Sequence, residues 1–148
     1  MQPKTPSTTT PPLTISGNTF NSLHQLVGRL QTGLLQEAAG KNSIIINDVD
    51  KSIPVTTDEG TLAYIIGSLI CNAIFSTSHC CIHVDTVLWE GGWQLRVRNN
   101  GVFIYSSMMH SLGHIADAAR RLNGIISLQN EGCHAMAVVL SIATKKAA

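Results

Sequence analysis

Within five residues, His79-Cys80-Cys81-Ile82-His83 brings together imidazoles and thiols, the ligand types that hold Zn²⁺. In an extended strand successive side chains alternate faces, so Cys81 and His83 would lie on one side and Cys80 on the other. His110 and His114 share a helical face when the helix around them begins early enough. Neither set supplies convergent ligands, and Cys133 stands far along the chain, so the expectation is buried thiols and surface histidines without a metal. Cys80 and Cys81 are adjacent, which is poor geometry for a structural bridge, and the thiols are read as reduced. No spacing supports a Ser/His/Asp or Cys/His nucleophile. Ser68, Asn72 and Phe75 fall at i, i+4 and i+7 and would point the same way from a helix.

Those residues need elements to carry them. Met1 to Gly17 is rich in threonine and proline and is expected to be a disordered tail. From Asn18 the pattern turns helical, with Phe20, Leu23, Val27, Leu30 and Leu34 at three- and four-residue spacing and Gly40 as a stop. Ser43 to Asn47 holds the β-branched run Ile44-Ile45-Ile46, which reads as a buried strand, and Ile53 to Val55 as a short extended piece. Thr57 or Asp58 can cap the next helix, whose apolar positions are Leu62, Ile65, Ile66, Leu69, Ile70, Ala73 and Ile74. Cys81 to Trp89 and Trp93 to Asn99 form a hairpin around Glu90-Gly91-Gly92. After a loop, Ser111 or a neighbour opens a helix to Leu122 that Asn123-Gly124 ends. Ile125 to Leu128 and Ala135 to Ile142 make a second hairpin.

Consecutive hairpins give a mainly antiparallel mixed sheet, and about three helices on one face complete a two-layer α/β sandwich. The domain is placed at residues 18–143, with a short C-terminal tail over 144–148. The chain's length of 148 residues suits one core. A net charge of +1 and scattered Lys and Arg argue against nucleic acid. The most apolar segment, Leu62 to Phe75, is interrupted by Gly67, Ser68 and Asn72 and falls short of a membrane span. With no apolar leader at the start, the chain is expected to be cytoplasmic, with no membrane contact.

The stretch Ser68-Leu69-Ile70-Cys71-Asn72-Ala73-Ile74, preceded by Asp58, Leu62 and Ile66, resembles the asparagine box of the histidine-kinase-like ATPases of sensor kinases, gyrase and MutL. Leu95 to Ile104, reading Leu-Arg-Val-Arg-Asn-Asn-Gly-Val-Phe-Ile, resembles the family's first glycine box, and Leu112 to Leu128 resembles the helix and strand after its second. The resemblance spans Phe20 to Ile142 and implies the Bergerat-type fold of that superfamily. It also implies a remnant nucleotide site: Asn72 would hold Mg²⁺ through its amide oxygen, Asn99 would meet the adenine amine, Gly101 would keep a turn, and Ser111 or Gly113 would stand at the second glycine box.

Several positions depart from the family pattern. Ser68 replaces the first box asparagine and Phe75 replaces a cation that would face phosphate. Asn99 replaces the carboxylate that reads adenine; an amide still accepts, but the uncharged bond is weaker by about 1 kcal/mol. Phe103 replaces a glycine that lets the base lie against backbone, and its ring is expected to fill the adenine cleft. Only Tyr105 to His110 separate the first box from the next helix, too few residues for a phosphate lid. Gly132-Cys133-His134-Ala135 stands where Gly-x-Gly-Thr is usual. His24 is followed by Gln25 rather than an acid and lacks a preceding helical hairpin, so it is not read as a phosphoacceptor.

The function implied is a degenerate, non-catalytic signalling or interaction module that needs no cofactor and engages a signalling protein or itself. The rival is a divergent domain of a sensor kinase, or of an anti-sigma-type kinase, that still takes Mg-ATP. Trp89 and Trp93 beside the hairpin turn read first as cross-strand structure and second as a contact pair. Met108-Met109 reads as a flexible apolar contact or a plug for the cleft.

Overall fold

Ser22 opens the first helix: its hydroxyl accepts from the Gln25 amide at 3.2 Å, satisfying a donor that no carbonyl can reach. The computed structural model describes residues 22–76, 79–99, 105–130 and 136–143, so Phe20, Gly101, Phe103 and both tails lie outside the described residues. Helix α1 (Leu23–Gly33) buries Leu23, Leu26 and Val27. The single helix expected as far as Gly40 is broken at Leu34, and a short α2 (Leu35–Gly40) follows. Gly33 weakens the helix at that point, and the break lets Leu34 stay against the core while Ala38 is buried and Leu35 is exposed.

Strand β1 (Ile44–Asp48) pairs parallel to β2 (Cys81–Trp89) at one edge of the sheet. Its isoleucines alternate. Ile45 is buried and Ile44 is 61% exposed, so the run is an edge strand with one apolar face and not the buried strand the β-branched residues suggest. Ile53 is buried, and its carbonyl takes the Leu23 amide at 2.8 Å.

Helix α3 (Glu59–Ser76) runs through the middle of the helical layer, against α1 on one side and α4 on the other. Asp58 caps it, accepting from the amide and hydroxyl of Thr61. The seven apolar positions read from its spacing are all buried. With 18 residues at a mean hydropathy of 1.3, α3 is long and apolar enough to span a membrane, a property that core helices share. Here it forms the centre of the core.

Strands β2 and β3 (Gly92–Asn99) form the first hairpin, with a turn of only Glu90-Gly91 because Gly92 is already in the strand. A Cβ at Gly92 would lie 2.0 Å from the Ile142 carbonyl oxygen, so only glycine allows the neighbouring strand so close. Trp93 is buried and Trp89, one residue beyond its cross-strand neighbour Leu88, is largely exposed. The two indoles therefore do not pair.

Helix α4 (Tyr105–Arg121) starts six residues earlier than expected, since Tyr105 to His110 holds no helix breaker. Asn123, at φ 58°, takes the left-handed position that ends it. Gly124 begins β4 (Gly124–Asn130), which pairs with β5 (Met136–Ala143). The sheet order is β1-β2-β3-β5-β4, antiparallel except at β1. One face packs Ile82, Val84, Leu95, Val97, Leu140 and Ile142 against the helices. On the opposite face Asp85 accepts from Arg96 at 2.9 Å and Arg98 at 2.7 Å, and His83 pairs with Asp48. The result is the two-layer α/β sandwich with a mixed sheet.

Candidate functional site

The face of α3 turned away from the sheet carries Tyr64, Ser68, Cys71 and Asn72, spaced so that all four share it. They form the floor of a cleft of about 690 Å³. One wall is α1, through Arg29, Leu30, Gly33 and Leu34; the other is α4, through His114 and Ile115. Gly67 deepens the floor, where a Cβ would already touch Leu30 at 3.4 Å.

Of the residues expected at a nucleotide site, Asn72 and Ser68 reach this cleft. Phe75 does not line it and stands 56% exposed further along α3. Asn99 is 3% exposed at the end of β3, between Ile82 and Met136 in the sheet register, and is not among the described lining residues. Gly113 is exposed in the interior of α4, where an added Cβ would meet only open space. Because α4 begins at Tyr105, neither Ser111 nor Gly113 sits at a helix N-terminus, where an anion would meet free amides. Gly101 and Phe103 lie outside the described residues, as do the side chains of Met108, Met109 and His110.

The histidines and cysteines diverge. Cys80 is buried beside Ser43 (3.6 Å), Cys81 is half-buried, His79 meets the Asn42 amide at 3.4 Å, and His83 is held by Asp48. Among the described residues no three His, Cys, Asp or Glu side chains gather to hold a metal. His24 is half-buried on α1, where its backbone carbonyl accepts from Asn47.

Burial, aided by the charge of Glu37, pushes the Cys71 thiol up, so this lining residue stays protonated and neutral. No carboxylate is among the described lining residues, and Arg29 and His114 are the basic ones. The cleft can hold a ligand through hydrogen bonds from its floor and apolar contacts with its walls. Among its described lining residues no nucleophile is hydrogen-bonded to a base. Sequence reasoning missed Arg29, Tyr64 and His114 as cleft residues. A signal was present for Tyr64 alone, which lies four residues before Ser68 on α3.

No family model and no curated protein sequence matches the chain. Solved structures do. The Acinetobacter baumannii histidine kinase AdeS superposes with a TM-score of 0.74 at 16% identity, covering 84% of this chain and 66% of that one. A nucleotide-free catalytic domain of histidine kinase ThkA gives 0.72 at 16% identity, covering 84% of this chain and 95% of that domain. Full-length ShkA in complex with AMPPNP gives 0.70 at 18% identity, and there the match spans 31% of that chain. The chain thus has the fold of the histidine kinase catalytic ATPase domain, carried by a widely divergent sequence.

Proposed function

We propose that this domain is a non-catalytic relative of the histidine kinase ATPases, with a degenerate nucleotide site, that works in the cytoplasm by binding a signalling protein or a second copy of itself. The observation that carries this reading is the junction after β3. Strand β3 ends at Asn99 and α4 begins at Tyr105, so residues 100–104 are all that connect them. Five residues reach at most about 17 Å fully extended. A connection that short has no residues to spare for a lid over a triphosphate.

Mg-ATP fits the described residues poorly. Its phosphates carry several negative charges, and the cation expected on α3 is the phenyl ring of Phe75. Asn72 keeps an amide oxygen that can ligate Mg²⁺, but it stands without a second box asparagine. Asn99 supplies no charge to an adenine amine and is sealed in the sheet. The structure of ThkA in complex with the response regulator TrrA supports a protein of two-component signalling as the class of partner. The one observation favouring the rival, a weak Mg-ATP-dependent kinase domain, is that Asn72 does face the cleft.

Incubation with γ-labelled ATP and Mg²⁺ tests the proposal. The expected result is neither hydrolysis nor transfer of label to the protein or to a response regulator. Turnover that Asn72→Ala abolishes would refute it.

A further inference from the structure

The five-stranded sheet ends on β1 at one side and on β4 at the other, and the two edges are finished differently. At β1 the side-chain amide of Gln31 donates to the Ile45 carbonyl at 2.7 Å, and that of Asn47 donates to the His24 carbonyl at 3.1 Å. Helices α1 and α2 pack on that strand, and it ends in the charge of Asp48. Occupying the carbonyls, adding a charge or bending the strand are ways to keep an edge from pairing again. Strand β4 has none of them. Its sequence, Gly-Ile-Ile-Ser-Leu-Gln-Asn over Gly124–Asn130, carries no charge and no proline. It pairs with β5 residue for residue, so no bulge twists it away. An edge strand turns part of its N–H and C=O groups away from its one neighbour. Among the described residues no hydrogen bond reaches the β4 backbone except from β5, although α4 packs against the strand. Ile125 is 68% exposed, more than any other large apolar residue described, and Ile126 and Leu128 on the core-side face are only partly covered.

Such an edge is a template for another strand, and its own sequence fits it. We propose that β4 pairs antiparallel with β4 of a second copy of this chain, about a twofold axis at Ser127, joining the two sheets into one. Of the two partners in the proposed function this takes the second copy, and it rests on that part of the reading alone. In this register Ile126 meets Leu128 of the second copy on the core-side face, and each covers apolar surface that one chain leaves part-exposed. On the open face Ser127 meets its own counterpart and Ile125 meets Gln129 of the second copy, so no like charges oppose each other. Arg120 and Arg121 end α4 just before Gly124. The antiparallel arrangement puts the two copies' arginines at opposite ends of the paired strands, about 20 Å apart by the rise of the strand. Salt screens exposed charges beyond about 8 Å, so they do not oppose the contact. The interface is isologous, and with the β1 edges covered it closes at two copies.

The test is sedimentation equilibrium of the full chain over a range of concentrations, with hydrogen exchange read by mass spectrometry. The expected result is a monomer–dimer equilibrium in which exchange at Gly124–Asn130 slows as concentration rises, while Ile44–Asp48 does not change. Ser127 is exposed, so its charge can be altered without touching the core. Ser127→Lys and Ser127→Asp each set like charges face to face at the axis and should weaken the dimer several-fold. Mixed one to one, the two variants should associate more tightly than either alone, because this register sets position 127 against itself. Val87→Lys, on the exposed part of β2 three strands away, should leave the dimer unchanged. Thermal melting checks that the variants stay folded. A monomer at every concentration, a dimer that Ser127→Lys leaves intact, no rescue in the mixture, or equal weakening by Val87→Lys would overturn the proposal. If the chain stays monomeric and binds no Mg·ATP, this inference falls and the degenerate-site reading stands with another protein as partner. If the β4 dimer forms and hydrolyses Mg·ATP, the degenerate-site reading falls and this inference stands.

Discussion

Helix α3 has two faces with opposite fates. Toward the sheet, Leu62, Ile65, Ile66, Leu69, Ile70, Ala73 and Ile74 are packed almost without exposure. Away from it, Ser68 and Asn72 sit half-buried over a cleft, and Phe75 reaches into solvent where the histidine-kinase pattern calls for a cation. The inner face specifies the fold through volume and apolar area, and any sequence that keeps both keeps the scaffold. The outer face contributes little to folding, so its ligands can change without loss of structure. A superposition at 16% identity therefore reports on the first face and is silent about the second.

The contrast can be broken at several points. Leu69→Ala, at 1% exposure, should cost about 2–5 kcal/mol in urea denaturation, whereas Asn72→Ala should change stability by less than about 0.5 kcal/mol. A comparable loss from both would make Asn72 a structural residue. Next in size, Asn99→Asp restores the carboxylate of the histidine-kinase pattern in a position now sealed from water. It should cost about 1–3 kcal/mol at pH 7, and a neutral result would mean that water reaches the end of β3.

The smallest effect is at the start of α3. Hydrogen bonds from the Thr61 hydroxyl and amide hold the Asp58 carboxyl below its ordinary value of 3.8. A folded-state pKa below the unfolded one stabilises the fold above the unfolded value, and the benefit fades as pH falls through the folded value. The wild type should therefore melt slightly above Asp58→Ala at pH 7, and the gap should close below the usual carboxylate range.

Much of the fold was legible in the sequence because it follows from local patterns. The seven buried positions of α3 follow from three- and four-residue spacing, and the β2–β3 hairpin follows from alternation around a glycine turn. What was not legible depends on tertiary placement. Three isoleucines in a row announce a strand but not that β1 is an edge whose Ile44 faces water. The break at Leu34 reflects how α1 and Ala38 dock separately, and the early start of α4 has no local signal because nothing before Ser111 opposes a helix. At the site, the likeness of Ser68 to Ile74 to an asparagine box was visible in sequence, and Ser68 and Asn72 line the same cleft. The α1 wall was not visible, because Arg29 and Leu34 join that cleft only once two helices pack.

The most direct measurement is a calorimetric titration of the wild-type chain with Mg·ATP at neutral pH. An uncharged, buried Asn99 and a five-residue connection to α4 predict no saturable heat up to millimolar nucleotide. A single site with micromolar affinity, lost in Asn72→Ala, would contradict the account.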